Sequence, residues 1–192
     1  MIALSRIPTV QSSVFVDGPN IDGVLGQILR CCPKSHQRPR WNRVKDYLGR
    51  ILPFSGKPCF VTDKRYFTDK VSPLYRALHS MGYDVRTVDK VGGYIDNDDP
   101  VDEFILDQLH AILDRVRDGA ELNVAVVSHD HIYASVLKEI SEAGGRIVIV
   151  GFREWLHPDL LSLEGENCEI HDLEHDVCAF NSPLHKRPYR PY

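Results

Sequence analysis

Short apolar runs alternate along the chain with longer stretches in which apolar residues recur every three or four positions. The runs cover residues 14–16, 59–61, 85–88, 124–127 and 147–150. Their continuous apolar character is typical of strands that are covered on both faces of a sheet. Strand patterns that alternate with helix patterns predict a Rossmann-like α/β sandwich of three layers around a central, mainly parallel sheet.

Five helix patterns lie between these runs. They cover residues 21–29, 41–51, 74–81, 100–116 and 132–140. Gly82, Gly119 and Gly144 follow three of the patterns, where glycine commonly ends a helix. Asp99 and Pro100 precede the longest pattern and predict its cap and its first helical residue.

The chain of 192 residues is long enough for one well-filled core. We expect one domain over residues 13–180, with an N-terminal extension at 1–12 and a basic, flexible tail at 181–192. No apolar run approaches the roughly 20 residues of a membrane span, and no signal-peptide pattern opens the chain. These features predict a soluble, cytoplasmic protein, in which five cysteines are expected to be reduced.

Acidic and hydroxyl side chains follow the predicted strands. Asp17 follows the first run, Asp63 the second, and Ser128 and Asp130 the fourth. In open parallel sheets ligands bind beyond the carboxyl ends of the strands. Each aspartate alone could cap the next helix, but several converging carboxylates repel one another unless a cation joins them. Oxygen ligands favour Mg²⁺ or Mn²⁺, and such a site suits phosphodiester hydrolysis.

The longest helix pattern places a further carboxylate near this edge. At ~100° per residue, Asp102 falls within the arc of its buried stripe, whereas Asp107 points to solvent. A carboxylate in a buried arc is costly unless it is paired or bound to a metal. Asp102 is therefore either a first-turn acceptor for backbone N–H groups or a metal ligand that reaches the strand ends.

Three motifs at residues 14–20 (VFVDGPN), 101–105 (VDEFI) and 126–130 (VVSHD) together resemble those of the NYN domain. The NYN domain is a branch of the PIN-like ribonucleases, and the likeness runs over most of residues 13–175. The resemblance implies the PIN/NYN form of the α/β sandwich. It also implies a metal-dependent endoribonuclease that hydrolyses RNA with Mg²⁺ or Mn²⁺ and leaves a 5′-phosphate.

The resemblance assigns roles to five residues. Asp17, Asp102 and Asp130 match the family's metal-binding acids, and all three are expected to be catalytic. Asn20 matches the amide one turn after the first acid, and Ser128 matches the hydroxyl two residues before the last. Asn20 and Ser128 are expected to orient water, ligands or phosphate.

One position departs from the family pattern. Many NYN domains read Ser-Gly-Asp-x-Asp-Phe after the fourth strand, whereas residues 128–133 read SHDHIY. Ile132 stands in place of the second acid, which leaves open a catalytically weak or inactive RNA-binding regulatory protein. His129 and His131 either assist proton transfer or serve as capping and exposed residues. A nucleotide-binding Rossmann enzyme is disfavoured, because no glycine-rich phosphate loop follows a strand.

The net charge of −4 is distributed unevenly along the chain. Residues 1–90 hold 15 Lys and Arg against 7 Asp and Glu, and residues 91–180 hold 5 against 20. Positive groups release counterions from phosphates, which favours single-stranded or structured RNA as the partner. Trp41 either stacks on bases or lies in the core, and homo-oligomers are left open. The expected RNA contacts are Arg38, Arg40, Arg43, Lys64 and Arg65.

Soft metal ligands near the C-terminus raise a competing interpretation. Cys168, His171, His175 and Cys178 form a C-x2-H-x3-H-x2-C pattern, which is a compact set for zinc. The same segment also fits a last short strand with Cys168 and Ile170 facing inward, and this interpretation is favoured because the spacing differs from the usual zinc fingers.

Overall fold

The computed structural model describes residues 11–54, 56–64, 72–89 and 99–184. Helices and strands alternate through these ranges, with short 3₁₀ helices at 35–37, 131–133 and 153–155. The elements are β1 (Gln11–Asp17), α1 (Gly18–Leu29), α2 (Trp41–Ile51), β2 (Cys59–Asp63), α3 (Pro73–Ser80), β3 (Asp84–Val88), α4 (Pro100–Arg117), β4 (Leu122–Val127), α5 (Ala134–Glu142), β5 (Arg146–Gly151), α6 (Pro158–Leu161) and β6 (Cys168–Asp172).

The six strands form one parallel sheet in the order β3-β2-β1-β4-β5-β6. The chain builds outward from β1 to β3, crosses back through α4, and builds outward again from β4 to β6. The strand order therefore reverses between β1 and β4. In a sheet of this kind the crevice at that reversal is the expected ligand position.

Two hydrophobic layers enclose the sheet. Buried residues of α1, α2 and α3 pack with Val14 and Val16 on one face. Buried residues of α4, α5 and α6 pack with Phe15 and Val61 on the other face. The side chains of β1 alternate between the two layers, because successive residues of a strand point to opposite faces. The predicted Rossmann-like three-layer sandwich is confirmed, and every strand pairing in its sheet is parallel.

The helix ends follow the predicted signals. Asp99 Oδ1 accepts a hydrogen bond of 2.9 Å from the backbone N–H of Val101 and caps α4, which begins at Pro100. Gly82, Gly119 and Gly144 have φ values of 85°, 88° and 96°. Residues with side chains rarely adopt such values, so glycine ends α3, α4 and α5 at low cost.

The two edge strands differ from the predicted strands that are buried on both faces. Strand β3 lies at the sheet edge, and none of its residues is fully buried. Strand β6 at the other edge alternates, with Cys168, Ile170 and Asp172 buried and Glu169 and His171 partly exposed. This arrangement confirms the interpretation of residues 168–172 as a last short strand.

The turn from β1 into α1 is tightly packed. A Cβ atom at Gly18 would lie 2.5 Å from Cε1 of Phe60 on the neighbouring strand. Real Cβ atoms do not approach this closely, so position 18 requires glycine for steric reasons rather than for its dihedral angles. Helix α1 therefore starts directly against β2, and Asp17 is fixed at the boundary between strand and helix.

The C-terminal segment returns to the start of α2. Arg43 Nη1 donates hydrogen bonds of 2.9 and 2.8 Å to the carbonyl oxygens of Cys178 and Phe180. The backbone N–H of Leu184 donates to Glu174 Oε1 at 2.6 Å. The first residues of the expected tail, 181–184, thus pack on the domain, while residues 1–10 and 185–192 lie outside the described ranges.

None of the helices in the described ranges combines the length and apolar character needed to cross a bilayer. All five cysteines are free thiols, as expected. Cys31, Cys32 and Cys178 are exposed, whereas Cys168 is buried.

Candidate active site

The candidate site lies at the carboxyl edge of the sheet, where the strand order reverses. Asp17 ends β1 and is 2% exposed. Asp102 lies in the first turn of α4 and is half-buried. Tyr133, in the 3₁₀ helix between β4 and α5, is fully buried between them. Three segments that are distant in sequence therefore meet beyond the ends of β1 and β4.

The Tyr133 hydroxyl joins the two carboxylates. Its oxygen lies 2.8 Å from Asp102 Oδ1 and 3.2 Å from Asp17 Oδ2. A tyrosine hydroxyl carries one proton, so it can donate to only one carboxylate at a time. When both carboxylates are ionised, one of them faces the Tyr133 oxygen without a hydrogen between them. A proton or a cation is then needed beside that carboxylate to offset the repulsion.

Burial makes both carboxylates hard to ionise. The pKa of Asp17 is raised to about 7, first by desolvation and then by the charge of Asp102, although hydrogen bonds from Asn20, Ser128 and Tyr133 oppose the rise. The pKa of Asp102 is raised to about 6, again mainly by burial, with further contributions from Asp130 and Asp99. Two carboxylates held this close together favour the uptake of a proton or of a cation.

Ser128 links Asp130 to the buried pair. The Ser128 hydroxyl donates to Asp17 Oδ2 at 3.0 Å and accepts from the backbone N–H of Asp130 at 3.2 Å. The carboxylate of Asp130 itself caps the 3₁₀ helix, because its Oδ1 accepts from the backbone N–H of Ile132 at 3.1 Å. The structure therefore brings Asp17 and Asp102 onto one hydroxyl and leaves Asp130 as a near neighbour whose charge acts on Asp102.

Asn20 and His129 form a structural clamp across the edge. Asn20 Oδ1 lies 2.9 Å from the backbone nitrogen and 3.0 Å from Nδ1 of His129. On the opposite side, the backbone N–H of Phe152 donates to His129 Nε2 at 2.7 Å. Since Nε2 accepts, Nδ1 carries the proton and donates to Asn20. Asn20 thus uses its amide oxygen to hold the loop after β4, and both ring nitrogens of His129 are engaged in hydrogen bonds within the protein.

The His129 clamp is expected to be sensitive to acid. Burial lowers the pKa of His129 to about 3, against 6.5 for the free side chain. Below pH 6.5 His129 binds a proton in the unfolded chain but not in the folded chain. The contribution of His129 to the free energy of unfolding therefore falls as the pH drops from 6.5 towards 3. The loss reaches roughly 5 kcal/mol at the lower end.

Replacing His129 by glutamine should remove this acid sensitivity. At pH 7 the His129→Gln variant is expected to be less stable than the wild type by about 1–3 kcal/mol, because it loses the hydrogen bond to Asn20. Between pH 7 and pH 4 the difference should shrink, as the wild type alone loses stability through His129. Urea unfolding of both proteins across this pH range measures the effect, and a constant difference would contradict the assigned neutral imidazole.

The candidate metal ligands of the sequence are the carboxylates at the sheet edge and the Cys and His side chains near the C-terminus. Across the described residues, no group of three or more His, Cys, Asp or Glu side chains is arranged to hold a metal ion. This finding includes the four residues of the zinc alternative. His171 Nδ1 instead lies 2.9 Å from the Tyr47 hydroxyl, and Cys168 is buried in β6. At the carboxyl edge, Asp17 and Asp102 are two carboxylates that share the Tyr133 hydroxyl.

The five predicted RNA contacts have different surroundings. Arg38 forms an ion pair of 2.8 Å with Asp22, and Arg43 holds the C-terminal segment. Lys64 pairs with Asp89 at 2.7 Å on an exposed surface. The side chain of Arg40 is exposed at the start of α2, and Arg65 lies outside the described residues. Trp41 is buried, so it belongs to the core rather than to an exposed stacking surface.

Tyr133 is the principal residue of the site that the motifs do not identify. Its spacing from Leu137 and Ile140 predicts a buried face of α5, and a buried tyrosine normally needs a partner for its hydroxyl. These two facts indicate a polar contact at the base of the site, although they do not name Asp17 or Asp102 as the partners.

The chain matches no model of a known protein family, no curated protein and no solved structure. The resemblance of the three motifs to the NYN domain therefore stays a prediction. The case for a function rests on the arrangement of Asp17, Asp102 and Tyr133 at the switch point of the sheet.

Proposed function

We propose that the protein is a metal-dependent endoribonuclease that hydrolyses RNA phosphodiester bonds. The observation that supports this function best is the pair of carboxylates on the Tyr133 hydroxyl. Asp17 and Asp102 come from different elements, Asp17 is buried and Asp102 half-buried, and both have raised pKa values. Such a pair destabilises the fold when both carboxylates are ionised. A divalent cation bound between them would remove this repulsion and would therefore bind favourably.

The donor set fits Mg²⁺ or Mn²⁺. Mg²⁺ is commonly bound by one or two carboxylates together with waters and substrate phosphates, so it does not require three protein ligands. Asp17 and Asp102 would hold the ion, and Asp130 would add negative charge beside them. When bound, the ion would polarise the scissile phosphate and lower the pKa of an attacking water.

The remaining residues support this pair. Ser128 fixes Asp17 Oδ2 through its hydroxyl, and the backbone N–H of Asn20 fixes Asp17 Oδ1 at 3.1 Å. Tyr133 sets the separation between the two carboxylates. The Asn20–His129 clamp keeps the loop after β4 in place. The ligands are thereby positioned before the substrate arrives, which lowers the reorganisation needed for catalysis.

RNA is the preferred substrate because the basic half of the chain supplies positive charge near an acidic site. Arg40 is exposed, and the Lys64–Asp89 pair is open to solvent, so a phosphate can replace Asp89 as the partner of Lys64. Positive groups of this kind offset the repulsion between a polyanion and the carboxylates.

The test is incubation of single-stranded and structured RNAs with Mn²⁺, Mg²⁺ or EDTA. Wild-type protein is expected to cut RNA with either ion and not in EDTA, and Asp102→Asn should lower the rate by about 10²–10³-fold. Asp107→Asn is the matched control, because Asp107 is exposed on the same helix five residues later. Equal rates for Asp102→Asn and wild type would contradict the proposed site.

The catalytically weak alternative is favoured by one observation. Ile132 lies two residues after Asp130 and is 42% exposed. Among the described residues, it is the one large hydrophobic side chain that is exposed. An apolar side chain at this position suits contact with a base better than it suits metal chemistry. Binding of RNA without cleavage under any metal condition would favour the RNA-binding regulatory protein over the enzyme.

A further inference from the structure

A small cleft lies next to Asp17 on the β2 side, and we call it the base cleft. It has a volume of about 100 Å³ and is lined by the start of α1, the end of β2 and the loop before α2. A second cleft of about 230 Å³ shares Arg38, Trp41 and Leu74 in its walls and extends past Arg40. The residues of the base cleft used below are Gly18, Asp22, Arg38, Trp41, Phe60 and Thr62.

The charges of the base cleft cancel. Arg38 Nε lies 3.1 and 3.0 Å from the two carboxylate oxygens of Asp22, and Arg38 Nη2 lies 2.8 Å from Oδ2. Asp22 and Arg38 are the charged residues among the described residues that line the cleft. Within the described part of the chain, Arg38 Nη1 makes no hydrogen bond, so the fixed guanidinium keeps two N–H groups for a ligand.

The inner wall of the base cleft is aromatic. The rings of Trp41 and Phe60 meet edge to face with centroids 5.0 Å apart, and both side chains are buried. Gly18 has no side chain, so the backbone at the start of α1 comes close to Phe60. The buried Thr62, near the end of β2, adds a polar group to the lining. The cleft is therefore small and is lined by both aromatic and hydrogen-bonding residues.

This combination favours a neutral planar ring over a phosphate. A phosphate beside Arg38 would also face the Asp22 carboxylate, and like charges at close range repel. A nucleobase is neutral, contacts apolar surface such as the edges of the Trp41 and Phe60 rings, and offers donors and acceptors along its own edge to Arg and Asp side chains. The cleft begins at the residue directly after Asp17, so a base bound there belongs to a nucleotide adjacent to the scissile phosphate.

We propose that the base cleft binds the base of the nucleotide next to the scissile bond and gives the enzyme a base preference at that position. This inference rests on the proposed ribonuclease function. The proposal also predicts that a free nucleoside binds in the base cleft beside Arg38. This binding requires neither a metal ion nor cleavage.

Nuclear magnetic resonance of the ¹⁵N-labelled protein tests the cleft directly. The chain has two tryptophans, so two indole N–H signals are expected, and Trp155→Phe assigns the signal of Trp41. Adenosine, guanosine, cytidine, uridine and inorganic phosphate are titrated separately in EDTA. At least one nucleoside should shift the Trp41 signal, whereas inorganic phosphate should not.

Two variants locate the binding. Arg38→Lys keeps the charge but loses the planar fork, and it should weaken nucleoside binding by about tenfold. Asp22→Asn removes the partner that orients Arg38 and should also weaken binding, which covers the case in which one variant fails to fold. Arg117→Lys is the matched control, because Arg117 forms a 2.7 Å ion pair with Glu139 on the α4–α5 surface.

The outcomes separate this proposal from the enzyme assignment. No shift with any nucleoside, a shift with phosphate alone, or equal binding by Arg38→Lys and wild type would overturn the base cleft. If Asp102→Asn abolishes cleavage in the same preparations, the nuclease stands without the cleft. If nucleosides bind but no RNA is cut, the cleft stands as a base-binding site and the nuclease assignment fails.

Discussion

Replacing Asp17 by asparagine is expected to abolish metal-dependent RNA cleavage and, at the same time, to stabilise the protein above pH 7. Cleavage should fall by about 10²–10³-fold, because the buried carboxylate that would hold the cation is lost. The amide oxygen can still accept from the backbone N–H of Asn20. The amide NH₂ can donate to the hydroxyl oxygens of Ser128 and Tyr133, so the fold keeps its contacts.

The gain in stability follows from the sign of the pKa change. The pKa of Asp17 is about 7 in the folded protein and 3.8 in its reference state. The folded state holds the Asp17 proton more tightly, so the contribution of Asp17 to wild-type stability is greatest below pH 4 and is lost as the pH rises through 7. The full loss is on the order of 4 kcal/mol, and Asp17→Asn does not suffer it.

Urea unfolding between pH 4 and pH 8 in EDTA measures the difference between wild type and Asp17→Asn. The difference should grow in favour of the variant up to about pH 7 and then level off. Added Mg²⁺ or Mn²⁺ should stabilise the wild type and leave the variant unchanged, because only the wild type has the complete site. A difference that stays constant with pH, or equal stabilisation of both proteins by the ions, would count against the assignment.

Replacing Tyr133 by phenylalanine is expected to give the second large effect. The ring stays in the core, but the two carboxylates lose the hydroxyl between them. We expect a loss of about 1–3 kcal/mol in stability, greater at pH 8 than at pH 5 because ionised carboxylates need the donor most. Cleavage should fall by about 10–100-fold, the usual effect of removing a residue that positions metal ligands.

Tyr83→Phe provides a matched comparison for Tyr133→Phe. Tyr83 is also buried, and its hydroxyl donates to the Trp41 carbonyl oxygen at 2.8 Å. Its loss should cost similar stability at pH 5 and pH 8 and should leave cleavage intact. Divalent ions should recover part of the stability lost in Tyr133→Phe, since a cation can take over the bridge between Asp17 and Asp102. The same pH profile for both variants would show that Tyr133 only fills space.

The sequence is sufficient to predict the elements that carry the site. Strands β1 and β4 appear as continuous apolar runs, and α4 combines a cap at Asp99 with a regular buried stripe. The arc of that stripe also singles out Asp102 and assigns Asp107 to the exposed face, as the structure confirms. These features are local in the chain, so patterns of a few residues are enough to define them.

The contacts that decide residue roles are not local. Asp102 meets a tyrosine 31 residues later, and Arg43 meets carbonyl groups 135 and 137 residues later. A basic residue in a loop has the same appearance in sequence whether it binds a phosphate, pairs with Asp22 as Arg38 does, or holds the C-terminal segment. Asn20 is a similar case, because its partner His129 is known only once β1 and β4 are paired.

The long separation between Asp17 and Tyr133 also bears on when the site forms during synthesis. The two residues are 116 positions apart, and β1 is an internal strand that needs both β2 and β4 as neighbours. Parallel pairings over such distances form late, because the loop closure must precede the contacts. A growing chain therefore carries its acidic residues without a formed site until residue 133 has been made, and the proposed activity is expected only after that point.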